Sequence, residues 1–244
     1  MIPRIIHYCW FGDKPIPQSQ VAYIAHWREL LPDYQFVLWD NASLDKFKDV
    51  AWVREAIDAG FYAFAADYVR YYAVYEQGGI YLDTDVELLK PFDDLLDRPY
   101  LMGVEYADYP ESGIFGAEPH SDLIRWCKEF YESHHFTPDQ QTLTTCKAPQ
   151  VMHDSIIKHH TFIVSQEHPS LHPEAISLLP SDYLTAMSAD TGIAHPTSNT
   201  YTIHHFAGSW CYKSIGSRLR RSMKIQASQI LGERIVRKIR NLFS

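Results

Sequence analysis

Cysteine is scarce in this chain of 244 residues. The four present, Cys9, Cys127, Cys146 and Cys211, never fall into a C-x-x-C pair. That spacing excludes a zinc cage and a dense disulfide framework, and predicts reduced thiols in a cytosolic setting. Long apolar runs are missing as well: no stretch approaches the roughly 18 residues of a membrane span. The opening Met1–Tyr8 is too short an apolar run for a secretory leader, and Arg4 interrupts it. Internal repeats and low-complexity linkers are absent, so one domain to about Tyr212 is expected.

What is present is ordinary for a globular protein, with 46% hydrophobic and 21% charged residues. Aromatic residues are frequent at 14%, led by 16 tyrosines, which suits either a flat-faced polar ligand or a large core. The net charge of −8 conceals a split. From Lys213 to Ser244 nine Lys/Arg face a single acid, Glu233, while the preceding residues carry 13 bases and 29 acids. An acidic body lacks the extended basic surface that nucleic acid requires, so no nucleic-acid partner is expected. The basic tail, with Leu231, Ile235, Ile239 and Leu242 at helical spacing, reads as an amphipathic helix. It would either pack on the domain or lie on an anionic membrane surface.

Strands and helices alternate. Residues 2–10 read as a buried strand, 19–31 as a helix and 34–39 as a second strand. Helical pattern returns over 52–77 with a break near Gly60, and Gly78-Gly79 sits where a C-terminal cap belongs. A helix over 121–133 and strands near 100–105, 177–179 and 200–206 complete an α/β fold with a largely parallel sheet. Ligands of open α/β sheets bind beyond the carboxyl ends of strands. Trp10, Asp40, the Asp83-Thr84-Asp85 stretch and His204-His205 all fall at or just past such ends.

Asp83 and Asp85 are the sharpest feature. In extended chain, side chains at i and i+2 point the same way, so both carboxylates can converge on one hard divalent ion that also holds a diphosphate. A bare D-x-D tripeptide is also what a solvated acidic turn looks like. Upstream, Asp67 and Arg70 share a helix face at i, i+3, which by itself fits a surface ion pair as well as a binding pair.

The whole run from Ala65 to Val86, Ala-Ala-Asp-Tyr-Val-Arg-Tyr-Tyr-Ala-Val-Tyr-Glu-Gln-Gly-Gly-Ile-Tyr-Leu-Asp-Thr-Asp-Val, resembles the signature of DXD-containing sugar transferases of glycosyltransferase family thirty-two. Those include Golgi mannosyltransferases and bacterial enzymes of capsular and surface polysaccharide assembly. More distantly it is similar to the catalytic domain of large glucosylating toxins. The opening 2–12 and the stretch 201–210 resemble the family's start and end. The resemblance implies a GT-A nucleotide-sugar-binding fold over 1–212, followed by the basic amphipathic tail 213–244. It implies a divalent cation, Mn²⁺ before Mg²⁺, held by Asp83, Asp85 and His205, with His204 on the opposite strand face as a structural residue. By the same resemblance Trp10 stacks on the nucleotide base, Asp67 and Arg70 grip the donor sugar, and Asp83 contacts donor hydroxyls. Tyr81 lies beside the nucleotide, and Ser209 and Trp210 close over the diphosphate.

The expected activity is hexosyl transfer with retention, from a nucleotide-sugar to a glycan or lipid-linked saccharide in surface polysaccharide synthesis. Asp83, Asp85 and Arg70 are the catalytic residues, and UDP-sugars are favoured over GDP-mannose. The expected location is cytoplasmic, either free or peripheral on the inner membrane face. Two departures from the family pattern, at 111–119 and 145–149, are expected to face the acceptor. A catalytically weak sugar-nucleotide-binding module and a metal-dependent nucleotide-sugar hydrolase are the alternatives.

Overall fold

The computed structural model describes residues 1–189 and 191–208. Strand β1 (Ile5–Trp10) leads through helix α1 (Gln18–Leu30) to β2 (Gln35–Asp40). Helices α2 (Ala51–Asp58) and α3 (Tyr62–Gln77) follow, then β3 (Gly79–Leu82) and β4 (Val86–Leu88). Short strands β5 (Tyr100–Leu101), β6 (Val104–Tyr106), β7 (Tyr109–Pro110) and β8 (Ile114–Ala117) precede helices α4 (Asp122–Glu132), α5 (Gln140–Thr145) and α6 (Ala148–Ile156). Strands β9 (Thr161–Val164) and β10 (Ala175–Leu178), helix α7 (Ser181–Leu184) and strand β11 (Thr202–His204) come last. The tail 213–244, its boundary with the domain, and Ser209 and Trp210 lie outside the described residues.

The central sheet has five strands in the order β2-β1-β3-β8-β5. Parallel pairing joins β2 to β1 and β1 to β3, while β8 runs antiparallel to both of its neighbours. The sheet is thus mostly parallel, as expected, with one reversed strand that the sequence pattern hid. Ile114–Ala117 is buried throughout and pairs on both sides, so this part of the 111–119 segment cannot face an acceptor. A short, fully buried strand has no alternation to betray it.

Side chains alternate between two apolar layers. Tyr81 packs with Trp52, Tyr71 and Phe115 under α2, α3, α4 and α6, whereas Ile80 and Leu82 pack with Trp27 and Ile6 under α1. Helix α3 is buried nearly all round, from Phe64 to Val74, so its Asp67 and Arg70 are interior residues. The surface ion-pair reading is thereby excluded. Gly78 ends α3 at φ 65°, with its N–H bonded to Val74 O at 2.9 Å. A Cβ there would also meet Pro3 and Pro119 at 2.8 Å, so the turn into β3 needs glycine twice over. Among the described residues no helix is long and apolar enough to cross a membrane.

Candidate metal and donor site

The site sits at the carboxyl edge of the parallel strands. His7 of β1 is level with Tyr81 of β3, so Trp10 and the D-x-D segment leave the sheet on the same side. Thr84, between the two aspartates, turns the other way: its hydroxyl donates to Gln20 Oε1 of α1 at 3.0 Å, and both residues are buried. That anchor leaves Asp83 and Asp85 free to face together.

Arg70 organises the first flank. Its guanidinium lies 2.9 Å from Asp67 Oδ1 and 3.4 Å from Asp83 Oδ1. It donates to Ser112 O at 2.9 Å and stands 4.7 Å over the Tyr81 ring. The Tyr81 hydroxyl donates to Asp83 Oδ1 at 2.8 Å. Tyr81 is only 1% exposed, so it supports Asp83 rather than offering a face to a nucleotide, contrary to the sequence expectation. Arg70 is likewise engaged on all sides, and its geometry is that of a group that positions Asp83. Burial pushes the Asp67 carboxyl up to about 6 against the pull of Arg70. Burial also raises Asp83, again opposed by Arg70.

The second flank comes from far along the chain. Strand β11 pairs antiparallel with β4, setting His204 opposite Val86. His204 Nε2 lies 3.5 Å from Asp85 Oδ1 and 3.9 Å from Asp83 Oδ2, and its Nδ1 lies 3.1 Å from Glu111 Oε2. Asp83, Asp85 and His204 can each bring one ligand atom within 4.8 Å of the others. His205 does not join them. Its Nε2 meets Glu87 Oε2 at 2.8 Å, and its ring stacks on Tyr23 of α1 at 5.0 Å. This corrects the expectation by one residue, and the reason is strand parity: neighbouring side chains on β11 point to opposite faces, and the pairing with β4 turns His204 inward. The backbone N–H of His205 still donates to Asp85 O, and Ala207 N–H reaches Asp85 Oδ2 at 2.6 Å. Burial opposes charge on Asp85, but the His204 side chain and the Ala207 N–H win and hold it below the usual carboxylate range. His204 is driven the other way. Burial disfavours its charge, yet Glu111 and Asp85 raise it well above an ordinary histidine.

Glu111 and Gly113 are the functional residues that sequence reasoning missed. Glu111 is fully buried; its Oε1 accepts from Gly113 N–H at 2.7 Å, and Gly113 O accepts from Asp83 N–H at 2.8 Å. A Cβ on Gly113 would lie 2.6 Å from His204 Cε1, 2.8 Å from Asp83 Oδ2 and 3.0 Å from Glu111 Oε1. No short motif marks these two positions; only the reversed strand brings them to the edge. Glu105, a nucleophile candidate by location, is pushed up to about 8 by burial and by the charge of Glu111. Asp108 and Asp154, the other two, are 69% and 50% exposed beside His153. Trp10 stands at the rim, half-buried, its indole N–H donating to Lys14 O at 2.6 Å.

The donor set of two carboxylates and one imidazole fits a divalent cation. An open cleft of about 360 Å³ between Pro99–Tyr100 and Trp126–His160 lies at the opposite edge of the sheet, where β8 ends, and is separate from this site.

Comparison with known proteins points to glycosyltransferases. Residues 17–102 match the family described as a glycosyltransferase sugar-binding region containing a DXD motif. Inositol phosphoceramide mannosyltransferase 3 of Schizosaccharomyces pombe is 40% identical over 101 residues, which are 40% of this chain and 28% of that protein. An uncharacterized glycosyltransferase, L373, of Acanthamoeba polyphaga mimivirus is 25% identical over 222 residues, covering 86% of this chain and 84% of its own. This chain thus spans under a third of the yeast relative's length. Among solved structures the PaToxG glycosyltransferase superposes with a TM-score of 0.54 at 19% identity, over 64% of this chain and 69% of that one, which shows a shared fold. Residues 17–102 of this chain, Asp83 and Asp85 included, thus resemble the sugar-binding region of the DXD-containing glycosyltransferases.

Proposed function

We propose that the protein is a divalent-cation-dependent, retaining hexosyltransferase acting from a nucleotide-sugar onto a glycan or lipid-linked saccharide. The observation that carries this is the convergence of Asp83, Asp85 and His204 at the strand edge, beside the buried Asp67–Arg70 pair. When bound there, a cation supplies Lewis-acid stabilisation of the charge that develops on a departing diphosphate. Asp83 is fixed by Arg70 and Tyr81, and Asp85 by Ala207 N–H, so neither carboxylate has to reorganise to hold an ion. The reaction breaks the bond between sugar C1 and the phosphate oxygen and makes one to the acceptor oxygen, whose proton passes to the departing phosphate. Burial and the charge of Glu111 raise Glu105, which opposes a role for it as a charged nucleophile.

Trp10 at the rim supports a stacked base and a UDP-sugar. The yeast relatives are named as mannosyltransferases, which supports a mannosyl donor as the second reading. Their names also contain inositol phosphoceramide, which supports a lipid-linked acceptor, and the basic composition of 213–244 supports a cytoplasmic protein that meets an anionic membrane. A thermal-shift panel of UDP- and GDP-sugars, with and without Mn²⁺, tests the core of this. The expected outcome is stabilisation by one donor class that requires both the metal and Asp85, and that disappears in Asp85→Ala. A panel in which no donor shifts the wild type under any metal condition overturns the proposal.

A further inference from the structure

We infer that Glu111 is a positioning residue that holds His204 as the Nδ1–H tautomer, with Nε2 aimed at the two aspartates. The inference rests on Asp83, Asp85 and His204 forming the cation site. Glu111 touches neither aspartate and would not touch an ion; its work is done through the imidazole.

The hydrogen-bond inventory around Glu111 fixes the assignment. Its carboxylate is fully buried, so every acceptor site must be served from within the protein. Oε1 takes the Gly113 N–H at 2.7 Å. Oε2 has two neighbours, the Thr185 hydroxyl at 3.1 Å and His204 Nδ1 at 3.1 Å. The Thr185 hydroxyl carries one hydrogen and has a second acceptor at 3.0 Å, Val104 O. Only one of those two oxygens can receive it at a time. His204 Nδ1–H is then the donor on which Oε2 depends, and a carboxylate offers nothing that could donate to an unprotonated Nδ1. Without an ion Nε2 also carries a hydrogen toward Asp85 and Asp83; once an ion displaces it, the hydrogen on Nδ1 stays with Glu111 and the Nε2 lone pair faces the two aspartates. Other contacts lock the ring's orientation. His204 N–H donates to Thr185 O at 3.1 Å, Phe206 stacks on the imidazole at 4.1 Å, and the Cβ-free Gly113 leaves room for Cε1. A buried carboxylate on the far nitrogen of a ligating histidine sets the tautomer and makes the near nitrogen a better ligand, and losing it costs about 10–100-fold in metal affinity.

Mn²⁺ affinity, read from the free-ion EPR signal without donor or acceptor, tests this in wild type, Asp85→Ala, His204→Ala, Glu111→Gln and the His204→Ala/Glu111→Gln double variant. Loss of about tenfold or more in Glu111→Gln, with the double variant no weaker than His204→Ala alone, supports the inference, because the effect then runs through His204. Wild-type affinity in Glu111→Gln, or additive losses in the double variant, overturns it while leaving the cation site intact. Undiminished binding in both Asp85→Ala and His204→Ala removes the site itself and the inference with it. Long-range ¹H–¹⁵N spectra of the wild type loaded with diamagnetic Zn²⁺ give a readout that needs no variant to fold. A protonated Nδ1 on His204 is expected, and a protonated Nε2 overturns the assignment.

Discussion

The two flanks of the site treat buried charge in opposite ways. On the side of α3 and β3, one fixed cation, Arg70, lies between Asp67 and Asp83 and is held by a backbone carbonyl and a ring face. On the side of β11, Asp85 and Glu111 converge on His204, with no Lys or Arg bonded to either among the described residues. A permanent charge serves the first flank; a removable proton serves the second. A divalent ion displacing that proton would meet Asp85, the Nε2 lone pair and Asp83, since the single charge of Arg70 is shared between Asp67 and Asp83 and leaves one negative charge over. A cation site is thus marked less by how many carboxylates gather than by how much of their charge lacks a permanent partner.

Removing Arg70 breaks the contrast most severely. Arg70→Met leaves the buried Asp67 and the partly buried Asp83 without their cation, and a loss of about 3–5 kcal/mol in urea unfolding at pH 7 is expected. Part of it should return at lower pH, because both carboxyls are already raised and can then protonate. A loss under about 1 kcal/mol would mean that the first flank is not charge-locked.

A second buried histidine sharpens the role of the carboxylates. His7 on β1 is fully buried; Trp39 N–H donates to its Nδ1 at 3.2 Å and its Nε2 donates to Gly78 O at 3.0 Å. With no acid at hand, burial pushes it down to about 4. The unfolded chain then binds the extra proton first, so stability falls as pH drops from about 6.5 toward 4. The loss approaches about 3 kcal/mol at the lower end, at about 1.4 kcal/mol per pH unit. Comparing pH 7 and pH 5 unfolding in wild type and His7→Gln isolates this part, and an equal pH slope in both would refute it. Gly113→Ala is expected to cost about 1–3 kcal/mol by overpacking, and Mn²⁺ affinity besides, since the new methyl meets groups from both flanks. Unfolding and EPR titration on the same sample read both.

The first flank was legible because it is local. Asp67, Arg70, Asp83 and Asp85 fall within one helix, its cap and one strand, and periodicity alone sets their faces. The second flank was not. Choosing between His204 and His205 needs the parity of a three-residue strand whose partner lies more than 110 residues away. Glu111 and Gly113 needed the reversed polarity of β8, which a four-residue buried run cannot reveal. Tyr81 and Arg70 were found at the right place with the wrong exposure, because helix α3 is covered on nearly all sides and a helix with so even a coat gives no solvent face to read.

The β4–β11 pairing also imposes an order of events. The Arg70 side closes through short loops, while His204 must return to Val86 across more than a hundred residues, an encounter that is entropically late. A nascent chain stopped before Thr202 already has its D-x-D pair but no imidazole to complete the set. If the proposed cation site is right, its affinity for the ion is completed only when β11 docks, and pulse-labelled hydrogen exchange should find the β4–β11 amides protected after those of β1 and β3. The ion would act as a test that β11 has arrived.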